Sequence, residues 1–217
     1  MHFFITGTDT GVGKTWFTAW LVGAWRRAGH DAVALKPIST GDRADAEALR
    51  DAMEARLSLD EINPLYFQEP AAPIVAAQLE GRTIDFAALH AQVNAISGRF
   101  SHAAVEGVGG WRVPLGPNYE VREWARDLGW PVIVVARGTL GTLNHTLLTV
   151  ESITATGVPC AGVVLNAGVP GSPASPDFDL VFRRNADVLR GLLALPVFEF
   201  DRRAETAGDL PIWLGGK

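Results

Sequence analysis

Apolar positions along this chain fall into short runs, separated by polar, glycine-containing turns and by longer stretches with helical spacing. Residues 2–6 are the first such run and end in a Gly- and Thr-rich turn. Residues 14–28 follow, with Trp16, Phe17, Trp20, Leu21 and Trp25 at the intervals of a helix. A second strand is predicted over 31–35, then a helix over 44–57. Residues 63–73 hold three prolines and read as a connection, with further helical character over 74–79 and 86–96. Later strands are predicted over 103–105, 131–136 and 161–165, each leading into a polar or glycine-containing loop. A helix over 178–193, a short strand over 195–200 and a C-terminal tail complete the pattern. Residues 168–176, with two Gly and three Pro, read as a turn-rich loop. Trp213 reads as an anchor for the tail rather than as a platform for a base.

Short, fully apolar strands separated by helices imply crossover units and a mostly parallel sheet. Right-handed crossovers then put helices on both faces. A chain of 217 residues fits one domain, 1–217, and is long enough to bury a sizeable core. With 47% hydrophobic and 20% charged residues it is a globule rather than a disordered segment. Nineteen Lys and Arg against 24 Asp and Glu give a charge of −5, so no overall basic excess draws nucleic acid or an anionic membrane. Cys160, the single cysteine, cannot form an intramolecular disulfide and sits in an apolar stretch, which suits a structural thiol. The first residues carry no basic leader or cleavage site, and no apolar run reaches the roughly 20 residues needed to cross a bilayer. Cytoplasm is therefore the expected location.

The main chemical signal is Gly7-Thr8-Asp9-Thr10-Gly11-Val12-Gly13-Lys14-Thr15, between the first strand and the first helix. It is a variant phosphate loop: Gly7 lies one residue farther from the Gly-Lys-Thr ending than the common spacing, and Thr8 takes the usual first-glycine position. Gly11, Val12 and Gly13 let backbone amides approach phosphate oxygens, and the following helix adds free N–H groups and a favourable dipole. Lys14 can neutralise terminal phosphates, and Thr15 can place a hydroxyl on Mg²⁺. Alone these would be a surface cation and a helix-start residue; in this setting nucleotide binding is favoured.

Ligand groups in open parallel sheets gather outside the carboxyl ends of the strands. Lys36 follows the second strand, where Pro37 keeps it extended; it is either a solvated cation or a stabiliser of transferring phosphoryl charge. Asp45 and nearby Asp42 are alternative metal or helix-cap residues. Glu106, after the apolar 102–105 run, is a metal candidate or a solvated turn residue. Asn166 closes another strand, where its amide can pair with a nucleobase or cap the turn. The stretch 138–145 leads into a helix whose N–H groups can capture a carboxylate. His145 within it is better read as a cap or packing residue than as a proton carrier.

Taken together, the phosphate loop, Lys36-Pro37-Ile38-Ser39-Thr40-Gly41, Glu106-Gly107-Val108-Gly109-Gly110-Trp111 and Gly138-Thr139-Leu140-Gly141-Thr142-Leu143-Asn144-His145 resemble the dethiobiotin synthetases, in family order over most of residues 2–200. The resemblance implies a P-loop NTPase-like α/β fold and a cytoplasmic homodimer. It implies an enzyme using ATP, Mg²⁺, CO2 and 7,8-diaminononanoate to make dethiobiotin, ADP and phosphate. By the same resemblance Thr10, Lys14 and Lys36 contact carbamate and phosphates, and Thr15, Asp45 and Glu106 form the magnesium set. Asn166 would recognise adenine and Thr40 would touch the substrate. Gly141, Thr142, Leu143 and Asn144 would hold the substrate carboxylate across the dimer interface. Thr40 stands where serine is common in the family, keeping the hydroxyl and adding a methyl, and Gly11 stands where some members carry glutamate.

Two other functions share the phosphate loop. An amidoligase akin to the cobyrinic acid amide synthases would need a glutamine-hydrolysing domain and a nucleophilic cysteine, for which this chain offers neither length nor context. A regulatory ATPase would hydrolyse ATP without any dependence on diamine and CO2.

Overall fold

The protein is described by a computed structural model in which residues 1–168, 178–201 and 210–216 are placed. The turn-rich loop read over 168–176 lies, apart from Gly168, outside the described residues. The elements run in the order β1 (His2–Gly7), α1 (Lys14–Arg27), β2 (Ala32–Leu35), β3 (Ile38–Thr40), α2 (Ala44–Ala52), α3 (Leu59–Ile62), β4 (Leu65–Phe67), α4 (Pro73–Leu79) and α5 (Phe86–Ser97). They continue with β5 (His102–Gly110), β6 (Pro114–Gly116), β7 (Tyr119–Glu120), α6 (Val121–Leu128), β8 (Val132–Arg137), α7 (Thr142–Ala155), β9 (Cys160–Asn166), α8 (Phe178–Leu192) and β10 (Val197–Phe200), and end in a 3-10 turn, Ile212–Leu214.

Six strands form an all-parallel sheet in the order β10-β9-β8-β1-β5-β2. Their residues are buried almost without alternation, as expected of strands covered on both faces. β1 shows how. Phe3 stacks on Trp25 of α1 with ring centroids 6.2 Å apart, while Phe4 meets Trp124 of α6 edge-on at 5.4 Å. Consecutive strand residues point to opposite faces, so α1 and α6 cover opposite sides of the sheet.

Register sets the functional edge. Ile5 pairs with Glu106, Leu35 with Val105 and Arg137 with Asn166, so the carboxyl ends of these strands finish at one level. The strand order reverses beside β1, and an open sheet forms its ligand crevice at such a point. Two small additions sit beside the main sheet: the parallel pair β3-β4 and the antiparallel pair β6-β7.

Several elements depart from the sequence reading. The helix expected over 44–57 ends at Ala52, because Glu54 and Ala55 both take φ of 55° in the left-handed region. Burial of Met53 and Leu57 pulls the chain back onto the core, where Met53 Sδ accepts from the Ala34 amide at 3.0 Å. Glu106 does not follow its strand but lies inside β5, which continues to Gly110. The connection over 63–73 contains β4 and the start of α4. α3, α6 and the β6-β7 pair were not expected at all. Cys160 opens β9 half-buried, and burial pushes its thiol up to about 11, which leaves it a poor nucleophile at neutral pH.

Trp213 packs on the main core, and a Cβ placed on Gly162 would come within 2.9 Å of its ring. Next to it, the Leu214 carbonyl accepts from Trp25 Nε1 at 2.6 Å. Trp25→Ala removes a fully buried ring and orphans that carbonyl, for an expected cost of about 3–5 kcal/mol. Thermal denaturation should show a Tm about 6–20 °C lower, whereas a shift under about 2 °C would mean that the tail and α1 are not held together this way. Among the described residues, no helix is long and apolar enough to cross a membrane.

Candidate active site

The chain leaves β1 at Gly7 and enters α1 at Lys14, and the loop between them closes on itself only because of its glycines. A Cβ on Gly7 would stand 2.8 Å from the Asp9 carbonyl oxygen and 2.9 Å from Val12 Cγ2. Gly13 caps α1 at φ 93°, and a Cβ there would lie 2.0 Å from Asn166 Nδ2. The first turn of α1 has neither a side-chain cap nor an acidic residue, so its N–H groups and dipole are available to an anion. Lys14 folds back over the loop, and its Nζ donates to the Asp9 carbonyl at 3.1 Å.

A second group of charges stands beside this loop. The register that pairs Leu35 with Val105 brings Lys36 against Glu106. Lys36 Nζ lies 2.6 Å from Glu106 Oε1 and 3.1 Å from Asp45 Oδ2, and donates to the Gly107 carbonyl at 3.1 Å. Burial alone would depress this ammonium, but the two carboxylates outweigh it and hold Lys36 above the ordinary lysine value. Burial would likewise raise Asp45; the Lys36 ammonium, with the Thr15 hydroxyl nearby, holds its carboxyl below the usual range instead. Glu106 is 1% exposed; its Oε1 also accepts from Thr15 Oγ1 at 2.9 Å, while its Oε2 is buried with no hydrogen-bond partner. Asp42, the alternative to Asp45, lines the same cavity, but its Oδ1 accepts from the Ala44 amide at the start of α2.

These groups open onto a cavity of about 650 Å³. Thr10, Gly11, Gly13, Lys14, Thr15, Lys36, Thr40, Asp45 and Glu106 all line it, so the structure brings together most of the residues the sequence singled out. Thr10 is fixed at the loop apex: its amide donates to Asp9 Oδ1 at 2.7 Å and its carbonyl accepts from Arg137 at 3.2 Å. Val12 is buried beneath the loop. Asn166 stands behind it, with Nδ2 donating to the Val12 carbonyl at 2.9 Å and Oδ1 accepting from the Gly168 amide at 3.1 Å. The Asn166 amide supports the loop through these two bonds and is 1% exposed, so meeting a base requires the loop around it to open.

Gly141, Thr142, Leu143 and Asn144 are not at this cavity. They cap and open α7 on the other side of the phosphate loop, where Thr142 and exposed His145 join Thr8, Asp9, Val12 and Arg137 around a separate space of about 90 Å³. Sequence reasoning also missed Arg137, and the wall formed by Pro70, Ala71, Ala72 and Pro73 within the supposed connection.

Lys14 titrates in an informative range. Burial, with some repulsion from Lys36, pushes it down to about 8. The charged form that attracts phosphate is therefore present below about pH 8 and lost above it. ATP affinity measured by calorimetry should weaken as pH rises through that value, and Lys14→Arg should abolish the dependence because a guanidinium stays charged. Wild-type affinity that is flat to about pH 10 would contradict this.

A parallel sheet of this order, with a glycine-rich loop feeding a helix and a buried lysine-carboxylate cluster at its edge, defines a P-loop nucleotide-binding fold. The AAA_26 family, described as an AAA domain, matches residues 1–198. The "ATP-dependent dethiobiotin synthetase BioD" of Anaeromyxobacter dehalogenans is 46% identical over 220 residues, covering 99% of this chain and 97% of that protein. The protein of the same name from Bacillus velezensis is 37% identical over 200 residues, covering 90% of this chain and 83% of its own. The chain belongs to the ATP-dependent dethiobiotin synthetase family. Among solved structures, the septum site-determining protein MinD complexed with Mg-ADP from Pyrococcus horikoshii superposes with a TM-score of 0.51 at 18% identity, over 91% of this chain and 79% of that one, a likeness of fold.

Proposed function

We propose that this chain, acting as one domain over residues 1–217, closes the ureido ring of dethiobiotin from 7,8-diaminononanoate, CO2 and ATP, releasing ADP and phosphate. The observation that carries the reading is the buried Lys36 ammonium shared by Glu106 and Asp45 at the wall of the phosphate-loop cavity. One amine of the diamine adds to CO2 and loses a proton, giving a carbamate. A carbamate oxygen then attacks the γ-phosphorus of ATP, and ADP departs. The product is a carbamic-phosphoric anhydride, whose carbonyl is attacked by the second amine; phosphate leaves with the C–O bonding pair, the attacking nitrogen gives up a proton, and the ring closes.

The residues divide this work by position. The loop amides of Gly11, Val12 and Gly13, with Lys14, hold the phosphates. Thr10 and Lys36 face the carbamate and the transferring phosphoryl group, where fixed donors and cations act on developing charge. Thr40 contributes its hydroxyl to the substrate from the end of β3. Asn166, at the end of β9 behind the loop, is assigned to the adenine.

The donor set also suits Mg²⁺. Among the described residues no three His, Cys, Asp or Glu side chains form a metal group. Thr15 Oγ1, Asp45 and Glu106, whose buried Oε2 has no partner, instead offer the few oxygen ligands Mg²⁺ takes when waters and nucleotide phosphates fill the rest. When bound there, Mg²⁺ supplies neutralisation of the terminal phosphates.

Gly141, Thr142, Leu143 and Asn144 stand on the far side of the loop from their own chain's cavity, which supports a homodimer in which each chain lends this helix start to the partner's substrate carboxylate. Use of ATP and a small diamine supports a cytoplasmic location. The test is phosphate release from ATP with each component withheld in turn. Release should require both diamine and bicarbonate; equal release without the diamine would favour a regulatory ATPase.

A further inference from the structure

The backbone of Lys36 is not held by the main sheet. β2 ends at Leu35, whose partner is Val105, and the chain resumes regular pairing only at Ile38 in β3. Between them Pro37 has no N–H to offer. The Lys36 amide instead donates to the Ile62 carbonyl at 2.9 Å, and the Lys36 carbonyl accepts from Asn63 Nδ2 at 2.7 Å. Thus both backbone groups of the residue carrying the buried ammonium are gripped by the 62–63 segment that ends α3.

Asn63 is itself 1% exposed and fully engaged. Its amide also donates to Ser39 Oγ at 3.1 Å, on the cavity wall, and its Oδ1 accepts from Arg43 Nε at 3.0 Å. Arg43 closes the grip: it donates to the Asn63 carbonyl at 2.8 Å and the Leu59 carbonyl at 3.0 Å, and pairs with Asp60 at 2.9 Å. Arg43 is also the residue from which α2 starts, two positions before Asp45, the carboxylate 3.1 Å from Lys36 Nζ. One buried amide and one guanidinium therefore tie together the two chain segments whose side chains meet in the Lys36-Asp45 pair.

We propose that Asn63 and Arg43 are positioning residues for ring closure, a clamp that sets the Lys36 backbone and the start of α2 so that the ammonium meets the transferring phosphoryl group. This rests on the reading of Lys36 as the cation that acts in that step. The clamp touches none of the phosphate-loop hydrogen bonds, so its loss should appear in kcat and not in nucleotide affinity. Displacement of a reacting group by about 1 Å can cost about 100-fold.

The test uses Asn63→Asp, which keeps the volume and the Arg43 acceptor but replaces the donor to the Lys36 carbonyl with an oxygen. Rates are normalised to ATP-binding protein, so that partial misfolding does not count. Dethiobiotin formation should fall about 10- to 100-fold in kcat, with KM for ATP within about twofold of wild type. Arg43→Lys, which retains a charge for Asp60 and loses the rigid fork, should give a smaller fall of about 3- to 10-fold by the same geometry. Added to Lys36→Met, Asn63→Asp should cause no further loss, since the group it positions is already gone. A wild-type kcat for both clamp variants, or a full further loss in the double variant, overturns the clamp. Ring closure preserved in Lys36→Met alone would instead overturn the reading of Lys36, a result separable from the first.

Discussion

Lys36→Met is expected to lower kcat for dethiobiotin formation by about 100- to 1,000-fold, the loss typical when a preorganised charge is removed from a developing oxyanion. ATP affinity should change little, because the loop amides and Lys14 remain. The stability consequence follows from burial. Lys36 is 4% exposed and Glu106 1%, so removing the ammonium leaves a carboxylate inside the protein without its cation. Breaking a buried pair in this way costs about 3–5 kcal/mol. The double variant Lys36→Met/Glu106→Gln, which removes both charges, should recover much of the lost stability by thermal denaturation and none of the ring closure. Because Glu106→Gln weakens the magnesium set by itself, the chemical role of Lys36 is read from the single variant, whose kcat per folded, ATP-binding molecule should stay depressed. Recovery of synthesis along with stability would show that Lys36 serves the fold alone.

Glu106→Gln is the second large effect. Glu106 Oε1 already serves Lys36 and Thr15, while Oε2 is buried and unpartnered, an arrangement that is costly unless a ligand completes it. The glutamine keeps the size and an acceptor but removes the charge, so the Mg²⁺ concentration giving half-maximal rate should rise by about tenfold or more. Nucleotide binding measured with and without Mg²⁺ gives the same answer independently of turnover: the Mg²⁺-dependent gain in affinity should shrink. An unchanged magnesium requirement would place Glu106 outside the metal set.

How much of this was legible in the sequence depended on how local the cause was. The phosphate loop and Lys36 could be read because glycine, lysine and threonine at fixed offsets from an apolar strand carry their geometry with them. A mostly parallel sheet follows from uniformly apolar strands, and the six-stranded sheet is parallel throughout. Glu106 stands out in the sequence but the apolar run ends at Val105, because Gly107, Gly109 and Gly110 add no side chains to an apolar pattern although β5 continues through them and Gly110 pairs with Gly7. α6 does carry a local signal: Val121, Trp124, Ala125 and Leu128 are buried at i, i+3, i+4 and i+7, Glu123 accepts from the Glu120 amide, and Gly129 stops the helix at φ 69°.

Other features depend on tertiary contacts with no local trace. Nothing near Glu54 marks the end of α2, which is imposed by burial of Met53 and Leu57. Asn63 read as part of a proline-rich connection, because its role depends on the gap in pairing at Lys36, more than twenty residues away. The placement of Gly141, Thr142, Leu143 and Asn144 across the loop from the main cavity likewise depends on the strand order, which periodicity does not reveal.

The most direct measurement is mass spectrometry of the product formed from purified protein, Mg-ATP, 7,8-diaminononanoate and bicarbonate labelled with carbon-13. The account predicts dethiobiotin carrying one labelled carbon, formed only when both ATP and the diamine are present. Folded, ATP-binding protein that yields no labelled dethiobiotin would contradict it.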